Sequence, residues 1–122
     1  MIGLKEGNNY SRIDKIIVKN DKNEKIIIDS HTIGYIEASG RGVVVYTDNN
    51  KVYKLSRKIS EIEKYISDDC NFVRIHRSYI INIDKLEKYG DTYVVINKKL
   101  LPLSKNGYKS LEKRITSIAY IL

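Results

Sequence analysis

Phe72-Val73-Arg74-Ile75-His76-Arg77-Ser78-Tyr79-Ile80-Ile81-Asn82 is the stretch on which the fold turns. Residues 72–75 and 79–81 are short runs of β-branched and aromatic side chains, the composition of strands. Between and among them stand four donor-rich side chains, Arg74, His76, Arg77 and Ser78. Arg74 and His76 alternate with Ile75, which places both on one polar face of a strand. Arg77-Ser78 then turns outward at its end.

Toward the N-terminus the same texture recurs. Residues 16–18, 26–28, 33–36, 43–46 and 52–55 are β-favouring runs, separated by turn formers at 20–23, 39–42 and 48–50. Toward the C-terminus come runs at 86–89, 92–96 and 100–103, with the single proline, Pro102, marking a sheet edge or a strand exit. Strands this short and closely spaced predict antiparallel sheets, because parallel pairs need long crossovers. The period changes twice. Leu55, Ile59, Ile62 and Ile66 form one helical stripe, with Ser56 as candidate cap. Tyr108, Leu111, Ile115 and Ile118 form another, starting near residues 104–107, where a serine cap suits the first free amides. Residues 1–12, mixed in charge and poor in apolar side chains, read as a leader or linker, and 13–122 as one mostly β domain with two short helices.

Composition agrees with a globular domain. Of 122 residues, 42% are hydrophobic and 30% charged, enough to bury a core and too apolar for disorder. Uncharged apolar runs stay far below the ~20 residues of a membrane span, so no membrane insertion is expected. One cysteine, Cys70, excludes an internal disulfide and a cysteine metal cluster, and implies a cytoplasmic setting. The formal net charge is +7 and is uneven. Residues 71–122 hold ten basic and four acidic groups, while 30–70 balance at six and six. A surplus confined to one segment points toward a polyanion partner, although a solvated basic face accounts for charge alone almost as well.

Catalysis finds little footing. His31 and His76 are the only histidines and lack the spacing of a metal pair. Cys70 follows two aspartates, which raise a thiol's pKa, the wrong direction for a nucleophile. Glu61 and Glu63 fall on different faces of the expected helix. No catalytic residue, metal or cofactor is therefore expected.

Three loops carry the functional interest. Ser39-Gly40-Arg41-Gly42 presents Arg41 on a small-residue turn; alone, it reads as an ordinary hairpin turn. Arg74 through Ser78 offers arginine for bidentate reading of guanine, with histidine and serine for phosphate or base; a polar strand end is an equal alternative. Ser104-Lys105-Asn106-Gly107 opens the last helix, where free amides and Lys105 attract phosphate and Asn106 matches adenine. Simple capping also explains that segment.

The 72–82 stretch closely resembles the signature segment of the LytTR family of bacterial DNA-binding domains. Ile33-Gly34-Tyr35-Ile36-Glu37-Ala38 is similar to that family's early strand, and Leu101-Pro102-Leu103-Ser104 to its approach to the last helix. The resemblance covers residues 13–118. It implies a mostly β fold of small stacked antiparallel sheets with short helices, in a transcription regulator that is often the output half of a two-component response regulator. It further implies double-stranded DNA as partner, with loops entering successive major grooves to read promoter direct repeats, a second copy occupying the adjacent repeat. A receiver domain or a membrane inhibitor is the implied regulatory partner. Carried over, the DNA-binding residues are Arg41, Arg74, His76, Arg77, Ser78, Lys105 and Asn106, with Arg77 reading a base and His76 and Ser78 anchoring backbone or loop geometry. Two departures stand out: Asn106 occupies a position often held by arginine, and Val43 one where some relatives carry a polar side chain, which shifts first-loop reading to Arg41. The competing reading is a single-stranded nucleic-acid-binding module that stacks bases on some of the ten tyrosines; a protein-binding adaptor is a third.

Overall fold

The computed structural model describes residues 15–20, 22–66, 71–120 and 122. Among these residues ten strands and two α-helices follow one another: β1 (Lys15–Lys19), β2 (Lys25–Asp29), β3 (Ile33–Ser39), β4 (Gly42–Thr47), β5 (Val52–Leu55), α1 (Ile59–Ile66), β6 (Phe72–His76), β7 (Tyr79–Asn82), β8 (Leu86–Tyr89), β9 (Tyr93–Ile96), β10 (Lys99–Pro102) and α2 (Lys105–Thr116). They form a β1-β2 hairpin, a central sheet ordered β5-β4-β3-β7-β6 and a three-stranded sheet ordered β10-β9-β8. Every pairing is antiparallel, as the short, evenly spaced runs predict.

The central sheet is covered on both faces, which explains why its strands are nearly continuous in apolar residues. Successive side chains point to opposite faces. Ile36, Ile80 and Phe72 enter one core with Ile28, Ile59 and Ile66, beneath the β1-β2 hairpin and α1. Their neighbours Tyr35, Ile81, Val73 and Ile75 enter a second core with Val94, Leu101 and Leu111, beneath the three-stranded sheet and α2. Ile33, Ile75 and Ile81 are fully buried, and burying such a side chain contributes about 1.5–3 kcal/mol. Pro102 ends β10, an edge strand, where its missing N–H leaves no ladder bond unmade.

Two expectations need correction. Leu55 belongs to β5, where it pairs with Val43, and α1 begins only at Ile59 with Ser56 in the preceding bend. The four-residue step from Leu55 to Ile59 therefore joins two elements, because the β-ladder claims Leu55 first, and Ser56 is not a cap. Ile118 lies beyond the end of α2 and is exposed. At the other end of that helix Ser104 is the cap, its Oγ accepting from the Gly107 amide at 2.9 Å. The proposed leader, residues 1–12, and Cys70 lie outside the described residues.

Candidate nucleic-acid interface

The registers bring three turns to one end of the central sheet. Ser39 pairs with Gly42 to close the β3-β4 hairpin over Gly40 and Arg41. Glu37, two residues before that turn, pairs with Tyr79, the first residue of β7. Tyr79 also pairs with His76, so Arg77 and Ser78 form the β6-β7 turn beside the first. The Ala38 amide donates to the Ser78 carbonyl at 2.8 Å, tying the two turns together. The third arrives through α2. Both the amide and the hydroxyl of Ser104 donate to the Ile75 carbonyl, at 3.0 and 3.2 Å. A Cβ on Gly107 would lie 1.9 Å from that same oxygen, so only glycine lets the helix mouth sit this close to β6. Lys105 and Asn106, the first two helical residues, are exposed beside it.

The seven residues singled out from sequence thus share one end of the molecule, but their surroundings divide them. Arg74 is committed inside the protein. Its Nε donates to the His76 carbonyl at 2.8 Å, one terminal nitrogen to the Arg77 carbonyl at 2.6 Å, and the other bonds the Glu63 carboxylate of α1 at 2.5 Å. Its side chain is 24% exposed. A planar fork of five donors suits such a bracket, which a lysine cannot imitate. His76 is committed at one nitrogen: its Nδ1 accepts from the Ser78 amide at 3.1 Å. An accepting Nδ1 means a neutral ring with the proton on Nε2, assigned from this bond, so the free edge is a donor. Arg41 and Arg77, by contrast, are exposed, and no described residue pairs with either guanidinium. The same holds for the side chains of Lys105 and Asn106.

Beneath the turns lies a polar-aromatic cluster that sequence alone did not reveal. Tyr79 donates to Glu37 at 2.9 Å and its ring lies 5.8 Å from that of His76. Burial, and then the bond to Glu37, push the Tyr79 hydroxyl up to about 12. Tyr46 is raised as well, by burial and then by the negative charge of Glu37, and it stacks on Tyr35 at 4.6 Å. Lys99 from β10 sits 6.0 and 5.7 Å from those two rings, and its pKa is raised, chiefly by a hydrogen bond with Tyr35. The one available signal was Glu37 itself, a charge inside an apolar strand. Glu63 gave none, since it meets Arg74 only through the packing of α1 on the sheet. Among the described residues no cluster of histidine, cysteine or carboxylate could hold a metal, and no helix is long and apolar enough to cross a membrane.

Small antiparallel sheets with two helices are a fold shared with known proteins. The model of the LytTr DNA-binding domain matches residues 23–116, most of the chain. The chain belongs to the LytTr DNA-binding domain family. It is 29% identical over 108 residues to the sensory transduction protein LytT of Oceanobacillus iheyensis, covering 82% of this chain and 43% of that protein. The chain thus spans less than half the length of this curated relative. The solved structure of a LytTr DNA-binding domain from Bacillus cereus superimposes with a TM-score of 0.66 at 17% identity, over 84% of this chain and 96% of that one. That likeness carries the fold: a LytTr domain of small antiparallel sheets with two helices.

Proposed function

We propose that this LytTr domain is the double-stranded DNA-reading part of a cytoplasmic transcription regulator. The observation that carries the reading is the convergence of three turns on one sheet end, with Arg77 free and held on a braced turn. Arg77 reads a base edge in one major groove, guanine being the natural match for its bidentate fork. The Nε2–H of His76 and the Ser78 hydroxyl bond backbone phosphate beside it. Lys105 and Asn106 engage the groove or phosphates at the mouth of α2, and Arg41 does so from the neighbouring turn. Arg74 acts through the turn as a positioning residue. The natural operator is a pair of direct repeats with a second copy on the adjacent repeat, and a receiver domain or membrane inhibitor supplies regulation.

The test is fluorescence anisotropy against a duplex carrying candidate repeats, with a scrambled duplex and the matching single strand as controls at several salt concentrations. Preference for the repeats that persists as salt rises is expected. Equal, steeply salt-dependent binding to all three would sink the reading, since charge alone binds without regard to sequence. The single-strand alternative draws no support from the tyrosines at this end: Tyr35 and Tyr46 stack on each other and Tyr79 packs toward Glu37, leaving no open row of rings for bases.

A further inference from the structure

Next to the three turns lies a cleft of about 380 Å³ whose walls come from the end of β1, the β3-β4 turn and β5. Lys19, Arg41 and Lys54 line it together with Asn20, Ser39 and Ser56. Among the described residues no carboxylate lines the cleft, and none pairs with any of its three cations. Glu24, an acid in the β1-β2 turn, is held by the Asn20 amide at 2.8 Å and lies outside the lining. Lys19, Arg41 and Lys54 bring positive charge to the cleft from three elements, and an anion seated in it is attracted by all three. The hydroxyls of Ser39 and Ser56 add a neutral side-chain type that commonly bonds phosphate oxygens.

Position narrows the anion's identity. Lys54 pairs with Val44 and Leu55 with Val43, which puts the cleft at the same sheet end as Arg77. Three strand spacings of ~4.8 Å separate β5 from β7, about 14 Å, a distance one duplex backbone spans. We propose that the cleft seats a backbone phosphodiester of the same duplex that the three turns read, making the β1 end and β5 part of the DNA footprint. This inference rests on the reading given under Proposed function.

Salt-titrated anisotropy tests it, using the repeat and scrambled duplexes with the wild-type chain, the double variant Lys19→Gln/Lys54→Gln, and Lys51→Gln. Lys51 lies in the β4-β5 turn at the opposite sheet end and controls for net charge. Neutralising one phosphate contact shrinks the slope of log affinity against log salt by about 0.9, equivalent to about fivefold weaker binding near 0.15 M salt. That loss is expected for the double variant on both duplexes, with the preference for repeats intact and the melting temperature unchanged. Lys51→Gln keeps the wild-type slope. A second measurement uses duplexes with single phosphates replaced by neutral methylphosphonates: one position should weaken the wild type and leave the double variant unaffected. An unchanged slope in the double variant, with repeats still preferred, overturns the cleft and leaves the reading turns standing. A wild-type chain that prefers no duplex overturns the DNA reading and this inference with it.

Discussion

The β6-β7 turn and the β3-β4 turn lie side by side, each offering one free arginine, yet they are built by opposite means. Around Arg77 the backbone is bracketed by the Arg74 guanidinium, by the bond from the Ser78 amide to His76, and by the Ala38 amide on the Ser78 carbonyl. The Arg41 turn shares that last bond but has no side-chain bracket of its own among the described residues: it is a two-residue hairpin whose Gly40 sits at φ +57° with open space on its Cβ side. Glycine adopts that left-handed conformation without steric cost. A braced turn has already lost its freedom before DNA arrives, so its contacts convert more fully into affinity and discrimination. A loose turn spends part of its contact energy on becoming ordered. On the proposed DNA reading, Arg77 is accordingly the specificity residue and Arg41 the adaptable one.

Breaking the bracket should have the largest effect. Arg74→Ala removes three charge-assisted bonds and leaves the Glu63 carboxylate unpaired. It should weaken repeat-duplex binding by about 2–3 kcal/mol, roughly 30- to 150-fold, through the displaced Arg77 turn. Arg74→Lys should recover little, because one ammonium cannot reach both carbonyls and the acid. Anisotropy alongside thermal melting checks this; full recovery by lysine would reduce Arg74 to a point charge. Next comes Arg77→Ala, expected to cost about 1–3 kcal/mol on the repeats and much less on a scrambled duplex, with stability within about 0.5 kcal/mol of wild type. Equal losses on both duplexes would remove its base-reading role. Arg41→Ala should cost about 0.5–1 kcal/mol, nearly alike on both sequences. If it matches Arg77→Ala in size and selectivity, the contrast between braced and loose turns is wrong.

The gentlest probe is pH. Tyr79, beneath the braced turn, has its hydroxyl raised to about 12 from an ordinary value near 10. The fold therefore favours the protonated phenol. That contribution is complete below about pH 10 and is lost as pH rises toward 12. Thermal melts across this window should show a decline, shallower in Tyr79→Phe, which has no proton to lose. Tyr89, raised likewise by its bond to Glu112 and by burial, adds to the slope together with Tyr46 and Tyr108, which are also raised, so the variant should retain part of it.

Strand positions were legible from sequence because burial on both sheet faces leaves continuous apolar runs, as in β3 and β7, and turn formers punctuate them. The three donor-rich loops of the candidate site were legible because arginines, a lysine and an asparagine advertise themselves by type, and the structure brings those loops to one sheet end. What escaped was the division of labour within that set. Arg74 looks like Arg77 in composition and spacing. Its partners are two backbone carbonyls that come within reach only when the turn closes, and a carboxylate eleven residues earlier on a helix. The misassigned helix start has a similar cause: Leu55 satisfies a helical step numerically while its backbone is taken by a ladder partner twelve residues back. Tertiary partners decide such cases, and a linear pattern does not contain them.

Gly107 carries a consequence of another kind. With the α2 mouth pressed backbone to backbone on β6 at Ile75, the offset between the second and third turns is a ruler cut into the main chain. Among the described residues, the outward side chains of Arg77, Lys105 and Asn106 hold nothing else in place. If these side chains read DNA as proposed, exchanging them would rewrite which bases are spelled out while leaving the spacing between the letters untouched. A new spacing, by contrast, would require rebuilding the contact itself, so on the proposed reading operator lettering is free to drift on this scaffold where operator geometry is not.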